Sequence, residues 1–299
     1  YKAQNRGGKG IKAMSTRDED YVETVFTAST HDNILFFTTL GRAYVRKGYR
    51  IAEAGRNARG TNIVNILPLE PGESVSAMIH GRSCEDDRYL VFITRNGTVK
   101  RLRQSALKNI RGGKGIRALT LEEGDELVAV RQTDGYQNIL ICTREGMVIC
   151  FSEQDVRPTG RGSMGVRGIR LREGDYVVGA ARAREEGMLL TVTEYGYGKR
   201  TPISEYIRGG SEPQHRGGYG VKGYSPTEKT GKVAAVRVVD PTNDLLIITD
   251  DGTIIRTPVE KISVYSRYAR GVRLMRPAEG SKVISIEKTD AEESEEVTG

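Results

Sequence analysis

The chain has 299 residues, with 36 glycines, 14 tyrosines, no tryptophan and a formal net charge of +7, enough for one large or two ordinary domains. No run approaches the roughly 18 apolar residues of a membrane helix, and nothing at the start reads as a secretory signal. The charge is unevenly placed: Glu287 to Gly299 carries six acids against one lysine, a net of −5, so the body ahead of it is +12, a balance that suits a nucleic acid or another acidic surface.

In chain order, the first feature is a basic glycine turn, Gln4-Asn5-Arg6-Gly7-Gly8-Lys9-Gly10, followed by Ile11-Lys12 and an apolar stretch at Val22–Ala28. Glycines let a backbone turn tightly and approach a partner closely. Five apolar strands then each run into a glycine turn: Ile34–Leu40 into Gly41, Leu90–Arg95 into Gly97, Ile139–Arg144 into Gly146, Leu189–Glu194 into Gly196 and Leu245–Asp250 into Gly252. Turns of the Asn-Gly and Asp-Gly kind predict hairpins with type I′ geometry. A second register accompanies the first, at Gly10-Ile11-Lys12, Gly60-Thr61-Asn62, Gly115-Ile116-Arg117, Gly165-Val166-Arg167, Gly220-Val221-Lys222 and Gly271-Val272-Arg273, each followed by a further apolar strand. Ser204–Tyr206 and Glu153–Asp155 read as short turns between strands.

The turn glycines lie 56, 49, 50 and 56 residues apart. Four short strands per unit of this length predict an all-β, propeller-like architecture, in which each unit buries its faces only by stacking on its neighbours. The repeats are expected at about 34–82, 89–134, 138–184, 188–240 and 244–289, within one domain of residues 1–289. Six loop registers stand against five hairpins, so the first blade is expected to be incomplete at the N-terminus, and Asp290–Gly299 to be a disordered acidic tail.

Basic residues recur at two places. Arg42, Arg46, Lys47, Lys100, Arg101, Arg103, Lys199, Arg200 and Arg256 follow the hairpin turns, on what reads as an outer strand. Arg59, Arg111, Lys114, Arg161, Arg167, Arg216, Lys222 and Arg270 lie in the glycine loops. Recurrence predicts a belt that meets phosphates, which position a duplex without reading its bases. Aromatics at the loops are too sparse for a single-strand stacking platform. Gly160-Arg-Gly162-Ser-Met-Gly165 and Gly218-Tyr-Gly220-Val-Lys-Gly223 fit a G-x-G-x-x-G pattern but precede strands rather than a helix, which argues against a dinucleotide site. His31, His80 and His215 are scattered, and Cys84, Cys142 and Cys150 have no metal spacing. Cys142 and Cys150 lie in apolar strands and read as core residues, and the cysteine pattern suits a reducing cytoplasm. Turn acids such as Glu122-Glu123 and Asp250-Asp251 read as solvated or as capping backbone groups. A protein-binding propeller and a propeller enzyme are the competing readings. The second would need converging acids, histidines or metal ligands that the sequence does not supply.

The glycine turn at Gln4–Gly10 resembles the Q-[RK]-R-G-G-[RK]-G box of the DNA gyrase A C-terminal domain family, departing from it only at Asn5. Thr30–Phe36, Ile63–Glu70, Gly165–Leu171 and Gly196–Thr201 are similar to the same family, and the resemblance runs from Tyr1 to about Thr289. It implies a six-bladed β-pinwheel with strands exchanged between blades, and a function in wrapping double-stranded DNA around the outer rim so that negative supercoils can be introduced. On that resemblance the box residues Gln4, Arg6, Gly7, Gly8, Lys9 and Gly10 join the expected DNA contacts. It further implies that the rest of gyrase A and its companion gyrase B are partners, that cleavage, metal and ATP sites lie in other domains with no cofactor in this one, and that the setting is the bacterial cytoplasm. Topoisomerase IV has a similar domain without a well-formed box and is the nearest alternative.

Overall fold

The computed structural model describes residues 11–12, 33–48, 67–81, 87–111, 113–184, 187–207 and 213–290. The apolar runs form strands because β-branched and aromatic residues fill a pleated surface well. Their centres are buried on both faces: Ile34 to Phe37, Leu90 to Ile93 and Ile139 to Cys142 are each a continuous buried stretch. An unbroken buried run, rather than alternation, is what a sheet stacked on both sides requires.

Twenty strands are described. β1 is Ile11–Lys12. The first full unit holds β2 (Asn33–Thr38), β3 (Arg42–Lys47) and β4 (Val75–Gly81). The second holds β5 (Tyr89–Thr94), β6 (Thr98–Arg103), β7 (Ile116–Arg117) and β8 (Leu127–Thr133). The third holds β9 (Asn138–Thr143), β10 (Met147–Ser152), β11 (Val166–Arg167) and β12 (Val177–Arg182). The fourth holds β13 (Met188–Thr193), β14 (Tyr197–Pro202), β15 (Val221–Lys222) and β16 (Val233–Val239). The fifth holds β17 (Asn243–Thr249), β18 (Thr253–Pro258), β19 (Val272–Arg273) and β20 (Val283–Asp290). Short 3-10 turns, such as Glu153–Asp155 and Ile203–Tyr206, follow the returning strands.

These strands make five four-stranded antiparallel sheets, ordered β4-β2-β3-β7, β8-β5-β6-β11, β12-β9-β10-β15, β16-β13-β14-β19 and β20-β17-β18-β1. In each the fourth, outermost strand is only two residues long and comes from the next unit. For the fifth sheet it is β1, where Ile11 faces Ile254 and Lys12 faces Thr253. The register matches the others, as where Ile116 faces Ala43 and Val166 faces Val99. The two-residue strand therefore ties each unit to the one before it, and β1 ties the start of the chain to its end.

The fold is all-β and propeller-like, as expected, with five blades among the described residues rather than six. The strand expected at Val22–Ala28 lies outside them, as does the expected tail Asp290–Gly299 except for Asp290 itself, which ends β20 paired with Asn243 rather than belonging to a disordered run.

The hairpins differ from expectation in one respect. A type I′ turn would put the residue before the glycine at positive φ, yet only glycines have positive φ among the described residues. Gly97 N donates to Thr94 O at 3.0 Å, so the loop is one residue longer and closes with Gly97 at φ +89°, a glycine bulge after an ordinary turn. The side chains explain this choice. Thr94 Oγ1 accepts from Thr98 N at 3.1 Å, with Thr38, Thr143 and Thr193 repeating the bond in their own units. Asp125 Oδ1 accepts from Asn96 N at 2.9 Å, as Asp175 does from Glu145 N.

The hairpin glycines Gly41, Gly97, Gly146 and Gly196 also carry the neighbouring unit. Gly146 O accepts from Gly223 N at 2.8 Å, and a Cβ at Gly146 would lie 2.1 Å from Tyr224 O. Gly146→Ala is expected to cost about 2–4 kcal/mol. Gly124→Ala, at φ +79° but with nothing near an added Cβ, should cost only the backbone strain of about 1–2 kcal/mol. Urea denaturation of both variants checks the difference, and equal costs would remove the docking explanation.

The inner strands β4, β8, β12, β16 and β20 all contribute to a central channel of about 620 Å³, lined by small residues such as Ala77, Ala129, Gly179 and Ala235. The hydrophobic clusters lie between sheets. One joins Leu140, Cys142 and Cys150 to Leu189, Tyr206 and Val236 of the next unit, and Phe37 meets Phe92 edge to face at 5.4 Å. Cys142 and Cys150 are buried, and desolvation pushes the Cys150 thiol up to about 12.

Candidate nucleic-acid interface

Strand exchange decides which cations reach solvent. The returning strands β3, β6, β10, β14 and β18 are not the outer edge, because each is covered by the two-residue strand of the next unit. Several residues expected on an exposed belt are therefore interior. Lys100, Arg101, Lys199, Arg200 and Arg46 are all below 9% exposed, and the expectation that they line the surface is corrected. Lys100 Nζ donates to the carbonyls of Ala118, Arg161 and Ser163 at 2.8, 2.9 and 3.0 Å. Lys199 Nζ donates to those of Ser266, Arg267 and Ala269 at 2.8–2.9 Å. Arg101 Nε donates to Val156 O, with Glu153 as ion-pair partner, and Arg200 Nε donates to Ile262 O. Arg46 donates to Val45 O and lies 5.8 Å from the Tyr44 ring.

Two more of the expected cations are neutralised locally. Arg42 pairs with the buried Glu73, its Nε 2.9 Å from Oε2. Arg256 Nε lies 2.8 Å from Asp244 Oδ2. These contacts bridge strands and turns of one blade.

The remaining expected cations face outward. Lys47, Arg103, Arg111, Lys114, Arg161, Arg167, Lys222 and Arg270 are exposed. Arg216 is half-buried, with Nε on Asp155 O at 3.0 Å and Nη1 on Arg167 O at 3.1 Å. Gln4, Arg6, Gly7, Gly8, Lys9, Gly10 and Arg59 lie outside the described residues.

Two recurrences at this edge went unweighted in the sequence. The second residue of the outermost strand is basic in all five blades: Lys12, Arg117, Arg167, Lys222 and Arg273. Arg117, Arg167 and Lys222 are exposed, while Arg273 stacks 4.8 Å from the Tyr197 ring. The Gly-Ile/Val-Lys/Arg triplet was visible as a register mark, and its third position is the signal. Four residues before each loop glycine stands an arginine: Arg6, Arg56, Arg111, Arg161, Arg216 and Arg267. Arg267 Nη1 reaches Lys222 O at 2.8 Å, repeating the reach of Arg216 to Arg167 O. Successive loops thus hold one another along the rim.

Tyrosines add a second layer. The Tyr176 ring has Arg95 at 4.1 Å and Arg144 at 5.6 Å, and Tyr219 has Arg172 at 4.3 Å and Arg170 at 5.1 Å. A guanidinium on a ring face keeps its charge and is restrained in position. Such an edge can bind a polyanion through cations set at matching positions on successive blades. Among the described residues no group of three or more His, Cys, Asp or Glu is placed to hold a metal.

The comparisons agree with this organisation. A solved structure of a DNA gyrase A C-terminal domain superposes with a TM-score of 0.79 at 25% identity, over 96% of this chain and 92% of that one. The C-terminal domain of a DNA topoisomerase IV superposes with a TM-score of 0.78 at 24% identity, covering 97% and 92% of the two chains, a likeness of fold. The DNA gyrase A protein of Clostridium acetobutylicum is 45% identical over 297 residues, 99% of this chain and 35% of the relative. That of Staphylococcus epidermidis is 45% identical over 296 residues, 98% of this chain and 32% of the relative. The chain thus spans about a third of the length of these curated relatives. A family model matches in six consecutive segments, residues 1–29, 32–80, 88–134, 137–184, 187–240 and 243–290, one for each loop register in the sequence. By that match the chain belongs to the DNA gyrase C-terminal domain, beta-propeller family.

Proposed function

We propose that this chain is the DNA-wrapping module of a gyrase-type topoisomerase II, binding duplex DNA along its outer edge without regard to sequence. The observation that carries the reading is the same-register basic residue on the outermost strand of every blade, from Lys12 to Arg273. A duplex following that edge meets a cation at each seam and bends as it goes. The first of the six segments matched by the family model, residues 1–29, carries the box of Gln4–Gly10, and β1 within it pairs with the fifth blade, so the box is the part of the sequence next to where the path closes. Strand cleavage, ATP and Mg²⁺ belong to the other domains of gyrase A and to gyrase B, its partners in a bacterial cytoplasm. The domain itself performs no covalent step.

The test is a titration of the 299-residue chain against two duplexes of unrelated sequence, at 50 and 200 mM salt. Six to ten phosphate contacts would reduce affinity by roughly 10³–10⁵ between those conditions, equally for both duplexes. A flat salt response would indicate a propeller that binds protein instead.

A further inference from the structure

We propose that Lys100 and Lys199 are positioning residues for the DNA-binding rim, each holding the backbone of the next unit's basic loop, Lys100 so that Arg161 faces outward and Lys199 so that Arg267 lies along the rim. The DNA side of this assignment rests on the function proposed above.

The two lysines are equivalent, each three residues beyond its hairpin glycine, Gly97 or Gly196. They are 1% and 0% exposed. An ammonium has three N–H donors and no acceptor, and each lysine spends all three on loop carbonyls. In both cases one acceptor is the carbonyl of the arginine four residues before the loop glycine, Arg161 for Lys100 and Arg267 for Lys199. Ala118 and Ser163 bring two consecutive loops onto Lys100. Lys199 has the Tyr224 ring of the preceding loop at 5.3 Å, and Tyr224 Oη donates to Arg270 O at 2.7 Å. Each lysine thus joins two successive loops.

Packing alone does not call for a cation here. The equivalent position is Ile149 in the third unit, Ile255 in the fifth and Tyr44 in the first, all buried. Neither lysine has an ion-pair partner among the described residues, and desolvation pushes both ammonium groups down to about 8. A buried unpaired charge is costly, so the lysine supplies something that isoleucine does not. What it supplies is a fixed loop backbone. With the carbonyls gathered inward, Arg161 is left exposed. Where isoleucine stands, in the third unit, no ammonium among the described residues gathers the loop carbonyls, and Arg216 holds the loop through Asp155 O and Arg167 O.

The experiment compares Lys100→Met, which keeps the volume, and Lys100→Gln, which keeps two donors, with the unaltered chain. Amide hydrogen exchange without DNA is expected to accelerate by at least about tenfold at 159–165, the scale of losing one charge-assisted hydrogen bond. β5 and β9 should keep their protection, with Gln intermediate. In DNA titrations, Arg161→Ala should weaken binding in the unaltered chain but add little in the Lys100→Met background. Lys199→Met with Arg267→Ala should repeat the pattern.

Unchanged loop exchange, or an undiminished effect of Arg161→Ala in the Lys100→Met background, would overturn the assignment. Loss of protection throughout the core in both lysine variants would also overturn it, because the lysines would then support the core rather than the loop. If the unaltered chain shows no salt-dependent affinity, the wrapping reading fails on its own, while the exchange measurement still decides whether the lysines hold the loops.

Discussion

Neutralising Arg117, Arg167 and Lys222 together, each to Gln, is expected to reduce DNA affinity on the order of 10²–10³-fold at 0.1 M salt and to flatten the log–log salt slope by about 2.7, roughly 0.9 for each lost phosphate contact. The three side chains are exposed at matching positions on consecutive blades, so the loss should be equal for unrelated sequences. Thermal stability should hardly change, because exposed residues away from caps and turns rarely contribute more than about 0.5 kcal/mol. Lys100→Ala with Arg101→Ala is expected to act mainly on stability, with the effect on DNA confined to the one Arg161 contact that Lys100 positions. Those side chains are buried and bound to carbonyls and Glu153. Their removal leaves acceptors and a carboxylate unpaired, at a cost of roughly 3–5 kcal/mol. Melting curves alongside the titrations check both halves. A triple variant with wild-type affinity would show that the outermost strands are not the DNA edge.

In the whole gyrase assembly, replacing Arg6, Gly7, Gly8 and Lys9 with alanine is expected to abolish supercoiling while relaxation and decatenation persist. The box immediately precedes β1 in the sequence, and β1 is the outer strand of the fifth sheet, which joins the start of the chain to its last blade. It is one basic turn among several, and losing two cations removes only about 1.8 from the salt slope. Bending a 20–30 bp segment costs on the order of 1–6 kcal/mol, and contacts at the end of the path offset that cost only if the bend is completed. Binding therefore falls modestly while wrapping fails. Supercoiling and relaxation assays on the same preparations decide the matter. Normal supercoiling by the variant would mean that the other blades hold the bend unaided.

Much of the fold was legible because its signals are local. A buried threonine, two turn residues and a glycine close the hairpins at Gly41, Gly97, Gly146 and Gly196 alike, and the closing position has positive φ, which glycine adopts without strain. Legibility ended where two strands compete for one edge. The turn at Asn96-Gly97 read as type I′, but its geometry depends on Asp125, 29 residues away.

The sequence by itself determined the repeat, its period of about fifty residues, the all-β architecture, the basic loops and the family. Only the tertiary structure decided which cations are available. Lys100 and Lys199 follow hairpin turns as Arg103 and Lys47 do, three residues beyond the glycine rather than six, and residue type alone does not say which of these positions is covered. The difference is made by two-residue strands such as Val166–Arg167 and Val272–Arg273, more than sixty residues further along the chain, which pair with β6 and β14 and cover them. A two-residue strand has no periodicity to read, and its burial of a lysine comes from a neighbouring repeat. Edge and interior are therefore assigned only when the units close upon one another.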